Sequence, residues 1–549
     1  MLGDRPGFGQ RLRNTRSQIR YEIALMQTIA TGPADQVTRA VLDLGIALEA
    51  RNSLEKACEQ YRKAADAGDQ EHSPAAALRL GILQERLGDT AGARAAYEQA
   101  ARSGHPEHAP AAEVGLAIML RSAGDAQGAA DAYRHVIESG HVDLAPGAAV
   151  DLGGLLAEIG DDRGARAALR QAIASGHARA SPAAALNLGI ILQKSGDLAG
   201  AEEAYRIAAG SQDPDAGPAA ANNLGRLLHT RGDIVGARGA WQQAADSGHP
   251  EWSPAATVSL GKISSDHGDG DSAQTAYQRV IDAGGTEAPR AAFNLGKLMR
   301  DQGHGEAARI AYPQAIDSGD SEQAPRAAFN LGNLLADSND VDGARAAYQI
   351  AADSGVAEVA TLAAYGIGKL LRDHGDLQGA LDGFRQAASG GHAEASRAEG
   401  LVLAELGDVE GARTAYQHAL ESGDREVAAW AEINLGDLAA SQGDGAAARA
   451  AYRRATRSAS RQARVSAALL LAASLKAAGE TDNARAAYLR AAGFADEAYG
   501  RDSAIWLGKQ LHDAGDDYGA RMVYKRALGS RDVKVRTQAA RRLASLGNS

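Results

Sequence analysis

A single cysteine, Cys58, in 549 residues rules out an intramolecular disulfide framework and fits a reducing cytosol. Aromatic side chains make up only 4% of the chain and prolines number 14, so large core-filling groups are scarce. The length exceeds what one ordinary globular core organises. Abundant alanine and 64 glycines point to another solution, in which many small-residue helices pack closely, each against its neighbours. Long hydrophobic runs are missing as well: no apolar stretch reaches the roughly 20 residues that span a bilayer. Tyr21–Ala30 contains Glu22 and Gln27, where a signal peptide has an uninterrupted apolar segment. The expectation is a cytoplasmic protein without membrane contact. Positive charge is also in deficit, with a formal net charge of −11. Nucleic-acid binding needs clustered Lys and Arg to neutralise phosphates and is not expected. The acidic balance suits molecules kept apart by self-repulsion.

What the chain has in abundance is repetition, the first thing to test in a long sequence. One small residue recurs as Gly45, Gly81, Ala117, Gly153, Gly189, Gly225, Gly261, Gly296, Gly332, Gly368, Gly400, Gly436, Ala472 and Gly508. The step is 36 residues, apart from one of 35 and one of 32 that a loop can absorb. Counting from this position, alanine stands at +12 in all fourteen repeats, as in Ala57, Ala201 and Ala344. A large ring stands at +16, usually tyrosine (Tyr61, Tyr97, Tyr205, Tyr312, Tyr348, Tyr452), with Trp241, Phe384 and Leu169 as variants. Alanine or valine follows at +19, as in Ala100 and Val136. Steps of four and three place these side chains on one helix face.

The rest of each repeat explains how it folds. A first helix is predicted to start after a proline (Pro74, Pro110, Pro146, Pro182, Pro218, Pro254), whose missing N–H costs nothing in a first turn. It ends at a Gly-Asp step such as Gly88-Asp89, Gly124-Asp125 or Gly375-Asp376. The glycine closes the helix in the left-handed conformation and the aspartate caps the next. The second helix carries the Ala/Tyr/Ala face and ends near Ser-Gly-His, as at Ser103-Gly104-His105.

Small residue, Ala at +12, aromatic at +16 and Ala at +19 resemble the tetratricopeptide repeat, most closely at Phe293-Asn294-Leu295-Gly296 and Phe329-Asn330-Leu331-Gly332. The Ser-Gly-His endings and the 36-residue period are similar to the related Sel1-type repeats. The resemblance implies an all-α fold, a right-handed superhelical solenoid of about fourteen helix-turn-helix repeats over residues 36–530. One departure is the alanine at −4 (Ala77, Ala149, Ala185, Ala221), where the family often has a large aromatic. A hydrophobic residue at −3 (Leu78, Val150, Leu186, Phe293, Phe329, Tyr365) is the expected substitute.

Residues 1–35 and 531–549 lie outside the repeat. Met1–Gln10 reads as a glycine-rich mobile lead, Ser17–Ala30 as a helix over the first repeat, and Val533–Leu546 as a C-terminal capping helix. Its polar side carries Lys534, Arg536, Arg541 and Arg542. Solenoid ends expose an apolar face that needs such covers.

Catalytic arrangements are not found, and no enzyme, cofactor or metal is expected. Histidines at His105, His141, His177, His249 and His392 recur in loops and read as helix-terminating groups that bond to terminal carbonyls. His105 and His108 lack the further ligands of a tetrahedral site. Asp266–Asp271 resembles a calcium loop but has no ligand at its twelfth position. No phosphate-binding glycine loop occurs, and Cys58, beside a core alanine, reads as a small filler.

In this family the first helices line the concave surface, so the resemblance assigns the groove-facing positions to −6, −2, +1 and +4. They are bland early on (Ala75, Arg79, Ile82, Glu85). Later they offer Asn187, then Asn223, Arg226 and His229, then Lys262. Next come Arg290, Asn294, Lys297 and Arg300, then Arg326, Asn330 and Asn333, then Lys369 and Arg372. Asparagine can both donate to and accept from an extended backbone, and cations on a concave wall attract acidic groups. By resemblance to peptide-binding members, Asn294, Lys297, Asn330 and Asn333 are the leading candidates for holding a ligand's main chain or carboxylate. A structural reading stands beside this one: asparagine before Leu-Gly bonds a neighbouring helix, and surface cations are solvated or paired with Asp and Glu.

The leading expectation is a protein- or peptide-binding scaffold that takes an acidic or C-terminal segment. Two alternatives stand beside it: a self-associating assembly protein, and the target-recognition subunit of a separate enzyme or sensor. Repeats of this kind serve unrelated partners, so the fold does not choose among them.

Overall fold

The computed structural model describes residues 8–499, 503–513, 515–530 and 532–546, with side chains over 20–34, 36–494, 504–513, 515–530 and 532–546. The described residues form thirty helices and no strand. Fourteen helix pairs run from Ala34–Ala50 with Leu54–Ala65 to Ser503–Asp513 with Asp517–Ala527, flanked by Phe8–Thr31 and Val533–Ser545. Where the sequence reads as one array, the chain divides into two compact units, Met1–Ile263 and Ser264–Ser549.

The small residue at each repeat's origin is a seat for the ring sixteen positions on. A Cβ at Gly332 would lie 2.5 Å from Cδ1 of Tyr348, and one at Gly189 would lie 2.5 Å from Cδ1 of Tyr205. Tyr61, Tyr97, Tyr133, Tyr312, Tyr416 and Tyr524 are fully buried on such seats, as are the +12 alanines Ala57, Ala201 and Ala344. Glycine therefore lets two helices close over a flat ring, so a chain poor in aromatics still fills its core. The −3 residue does substitute for the missing aromatic at −4. Phe293 packs at 6.5 Å from Tyr312, Phe329 at 6.0 Å from Tyr348 and Tyr365 at 5.6 Å from Phe384, centroid to centroid.

The Gly-Asp turns form as expected. Gly88 and Gly124 have φ of 80° and 82°, and the Asp89 and Asp125 carboxylates accept from the N–H of Gly92 and Gly128. Asn52 and Asn339 take the same left-handed conformation in the two repeats that lack the glycine.

The loop histidines behave differently from expectation. Nδ1 of His105 accepts from the N–H groups of Glu107 and His108 at 3.2 and 3.3 Å; His141, His177 and His249 repeat the arrangement. They cap the following helix at its N-terminus and do not bond the preceding helix's carbonyls. Asp69, Asp213, Asp320 and Asp424 do the same with Oδ1.

Within the units, first helices pack on their own second helices, and second helices on the next first helix. Many successive first helices also touch, as do Ala288–Asp301 with Gln323–Asp337 and the latter with Ala357–Asp373. Among the described second helices, only Thr481–Tyr499 and Asp517–Ala527 come comparably close. Over much of each unit the first helices therefore lie closer to one another than the second helices do.

At the N-terminal end, the expected helix Ser17–Ala30 is longer, Phe8–Thr31, because no proline or glycine interrupts residues 10–31. Of the segment read as a mobile lead, 1–7 lie outside the described residues and 8–10 are helical. Leu25 packs against Ala40 and Leu44, and Glu22 pairs with Arg51 at 2.8 Å. At the other end, Val535 and Ala539 of Val533–Ser545 are buried.

Candidate functional site

The candidate row falls on first helices of both units. In the first unit Asn223 is buried and accepts from Arg226 Nη2 at 3.0 Å, within helix Ala216–Thr230. His229 lies 5.6 Å from the Trp241 ring, and Lys262 is exposed. In the second unit, Ala288–Asp301 carries Arg290, Asn294, Lys297 and Arg300; Gln323–Asp337 carries Arg326, Asn330 and Asn333; Ala357–Asp373 carries Lys369 and Arg372.

These side chains are not chemically equivalent. Each arginine of the second unit's row is held by a nearby carboxylate of its own chain segment: Arg290 by Glu287 (2.9 Å), Arg300 by Asp301 (2.7 Å), Arg326 by Glu322 (2.8 Å) and Arg372 by Asp373 (2.8 Å). Lys297 and Lys369 are exposed and have no carboxylate partner among the described residues. Asn333 accepts from the Tyr348 hydroxyl at 2.7 Å, and Asn330 accepts from Arg300 Nη1, one repeat back, at 3.2 Å. Asn294 is half-buried and unbonded among the described residues. The structure thus gives Asn333 a core-supporting bond, joins Asn330 to its neighbour's helix, and leaves Asn294, Lys297 and Lys369 open.

Three features went unread in the sequence. Several +16 hydroxyls reach the first-helix face and take acceptors there, among them Glu49, Glu85, Gln193 and Asp437. Asn434, at the −2 position, accepts from Arg397 Nη1 at 3.1 Å, matching the Arg300–Asn330 bond. A hollow of about 630 Å³ opens in the first unit between Val150, Leu186 and Trp252, where the −6 residues Gly147, Ala183 and Ala219 are small. Its rim includes Asp151, whose carboxyl is pushed up by burial. The run of small residues at −6 was the available signal.

Metal and nucleophile chemistry finds little to build on. His105 and His108 stack at 4.5 Å with Nδ1 of His105 occupied by its cap, and no group of three potential ligands occurs among the described residues. Burial raises the Cys58 thiol pKa, which works against a reactive thiolate. No described helix is long and apolar enough to cross a membrane.

Models of the tetratricopeptide repeat match residues 78–149, 150–217, 186–252, 259–322 and 429–454, and one of a tetratricopeptide repeat-like domain matches 317–440. Together they span well over half of the chain. It is a tetratricopeptide-repeat protein. No curated protein matches it in sequence. Solved structures similar to this tetratricopeptide-repeat protein include a protective antigen of uropathogenic Escherichia coli strains that displays an SLR fold. It is 19% identical, covers 82% of this chain and 94% of its own, and has a TM-score of 0.42. PilF of Pseudomonas aeruginosa is 18% identical over 40% of this chain and 97% of its own, at 0.31. Yeast Tom70 is 14% identical over 80% and 96%, at 0.29.

Proposed function

We propose that this tetratricopeptide-repeat protein is a non-enzymatic scaffold that binds an extended, acidic segment of a partner protein along the first-helix face of its second unit. The observation that carries the reading is the set of open polar groups there, Asn294, Lys297 and Lys369, in a protein whose net charge is −11. Exposed cations without partners keep their full attraction for a carboxylate, whereas the paired arginines do not. The half-buried thiol of Cys58 fits a reducing, cytoplasmic setting.

Selection from a random peptide library on the full chain tests this. Enriched peptides should be acidic, should bind more weakly as salt is raised, and should lose about tenfold or more in affinity with Asn294→Ala/Lys297→Ala/Lys369→Ala. Asn333 is left intact because its loss would strand the Tyr348 hydroxyl. A library that yields no binders, or binders indifferent to the triple variant, rejects the reading. Self-association is the second reading, favoured by Tyr21, Ile23 and Met26, each about half exposed on the N-terminal helix. Light scattering that finds only higher oligomers, alongside an empty selection, would favour it.

A further inference from the structure

In several repeats the +16 tyrosine stands on its glycine seat with its hydroxyl towards the first-helix face, where a buried O–H needs an acceptor. Tyr61 donates to Glu49 (2.7 Å), Tyr97 to Glu85 (2.8 Å) and Tyr205 to Gln193 (2.8 Å), all at +4. Tyr348 donates to Asn333 (2.7 Å) and Tyr452 to Asp437 (2.6 Å), both at +1. In the sixth and tenth repeats both positions are basic, Arg226 with His229 and Lys369 with Arg372, and the ring is Trp241 or Phe384, without a hydroxyl. The fourteenth repeat keeps Tyr524 with Lys509 and His512 at these positions, and the eighth keeps Tyr312 with Lys297 and Arg300, neither of which can accept. Tyr312 is fully buried and its hydroxyl has no partner.

The groups around this hydroxyl are donors, and the nearby carboxylate of Asp301 is taken by Arg300. Arg300 is fixed by Asp301 and donates to Asn330 Oδ1, so the Asn330 Nδ2 group remains to donate. Lys297, one turn before Arg300, is exposed and unpaired. The missing component is an anion.

One repeat further on, a cavity of about 310 Å³ lies between helices Gln323–Asp337 and Ala357–Asp373, walled by Phe329, Tyr348, Leu362 and Tyr365. It exists because −2 in the tenth repeat is Gly366, where the eighth and ninth have asparagine, and +4 in the ninth is Ala336, where the eighth and tenth have arginine. A Cβ at Gly366 would stand 3.0 Å from the Tyr348 ring, so the glycine bares an aromatic edge. Leu362 forms a lip that is 37% exposed. Lys369 also lines the cavity, opposite Asp337.

We propose that these two features form one bipartite seat: a carboxylate of the bound segment accepts from Tyr312 Oη, Lys297 Nζ and Asn330 Nδ2, while an apolar side chain of the same segment fills the cavity beside Gly366. Neighbouring packed helices are about 8–10 Å apart and an extended chain advances about 3.3 Å per residue. The apolar residue and the carboxylate are therefore about three residues apart. This rests on the peptide-scaffold reading and names the chemistry of the segment it takes.

The test uses the full-length protein and labelled synthetic peptides with leucine and glutamate at separations of one, three and six residues, read by fluorescence anisotropy. The three-residue spacing should bind best. Tyr312→Phe should weaken it about tenfold, the effect of one charge-assisted hydrogen bond, while leaving the free protein's urea midpoint unchanged or higher. Tyr348→Phe should do the reverse, lowering the midpoint and sparing affinity. Gly366→Asn, which places in that position the residue its neighbours use, should remove the preference for leucine over alanine. If selected peptides bind but ignore Tyr312→Phe and Gly366→Asn, this inference fails and the scaffold reading stands; if selection is empty, the scaffold reading itself fails. Inorganic phosphate or acetate raising the thermal midpoint through Tyr312, with no peptide bound, would mean a small-anion site only and would overturn the proposal.

Discussion

At the scale of single residues, the loop position 24 after each origin shows one backbone task met by two chemistries. It holds Asp69, Asp213, Asp320, Asp424 and Asp532 in some repeats and His105, His141, His177 and His249 in others. In both cases one side-chain atom accepts from helix N–H groups that otherwise have no partner. His141→Asp should therefore leave the urea midpoint nearly unchanged. His141→Leu, of similar bulk, should cost about 1 kcal/mol, the usual loss when a cap is removed. Equal midpoints for the two variants would show that the cap contributes nothing. The sequence placed these histidines in loops correctly but assigned them to the wrong helix, since spacing does not show which way a ring folds. The alternation with aspartate carried the information. His392, at the same position, departs from both: it stacks on Tyr365 at 4.2 Å and its Nδ1 is buried without a partner.

At the scale of helices, the fold was legible because each position could be read against thirteen other copies. Glycine at the origin, a ring at +16 and alanine at +12 are three parts of one contact, and chance does not repeat such a triplet in eleven of fourteen repeats. Ala344 is fully buried against this contact. Ala344→Leu should overpack the pair Gln323–Asp337 and Val341–Ala352 and cost about 1–3 kcal/mol, measured by urea unfolding. A neutral substitution would mean that +12 does not face the partner helix. The origin itself has some tolerance, since Ala117 and Ala472 occupy it above Tyr133 and Tyr488. What the sequence could not convey was the state of the groove side chains. Arginines at −6 and +4 look identical to free cations until their partners Glu287, Asp301, Glu322 and Asp373 are seen one to four residues away. Asn333 likewise looked like a ligand group until its bond to Tyr348 was seen.

At the scale of the whole molecule, the tyrosines tie stability to alkaline pH. Burial pushes the phenols of Tyr312, Tyr348 and Tyr416 up to about 12, and those of Tyr61, Tyr97, Tyr205, Tyr277 and Tyr452 also rise. An unfolded tyrosine ionises near pH 10. The folded state therefore holds these protons more tightly than the unfolded chain. Their contribution is complete below about pH 10 and is lost as pH rises from there through about 12. Because the rings recur in nearly every repeat and the repeats lean on one another, the losses accumulate along the solenoid. The urea midpoint should hold steady from about pH 8 to 9.5 and fall steeply above 10, with phenolate absorbance appearing in the same step as the loss of helical circular dichroism. Gradual phenolate formation from pH 10, with helicity intact, would mean that the rings ionise in place and that the glycine seats are looser than their geometry indicates.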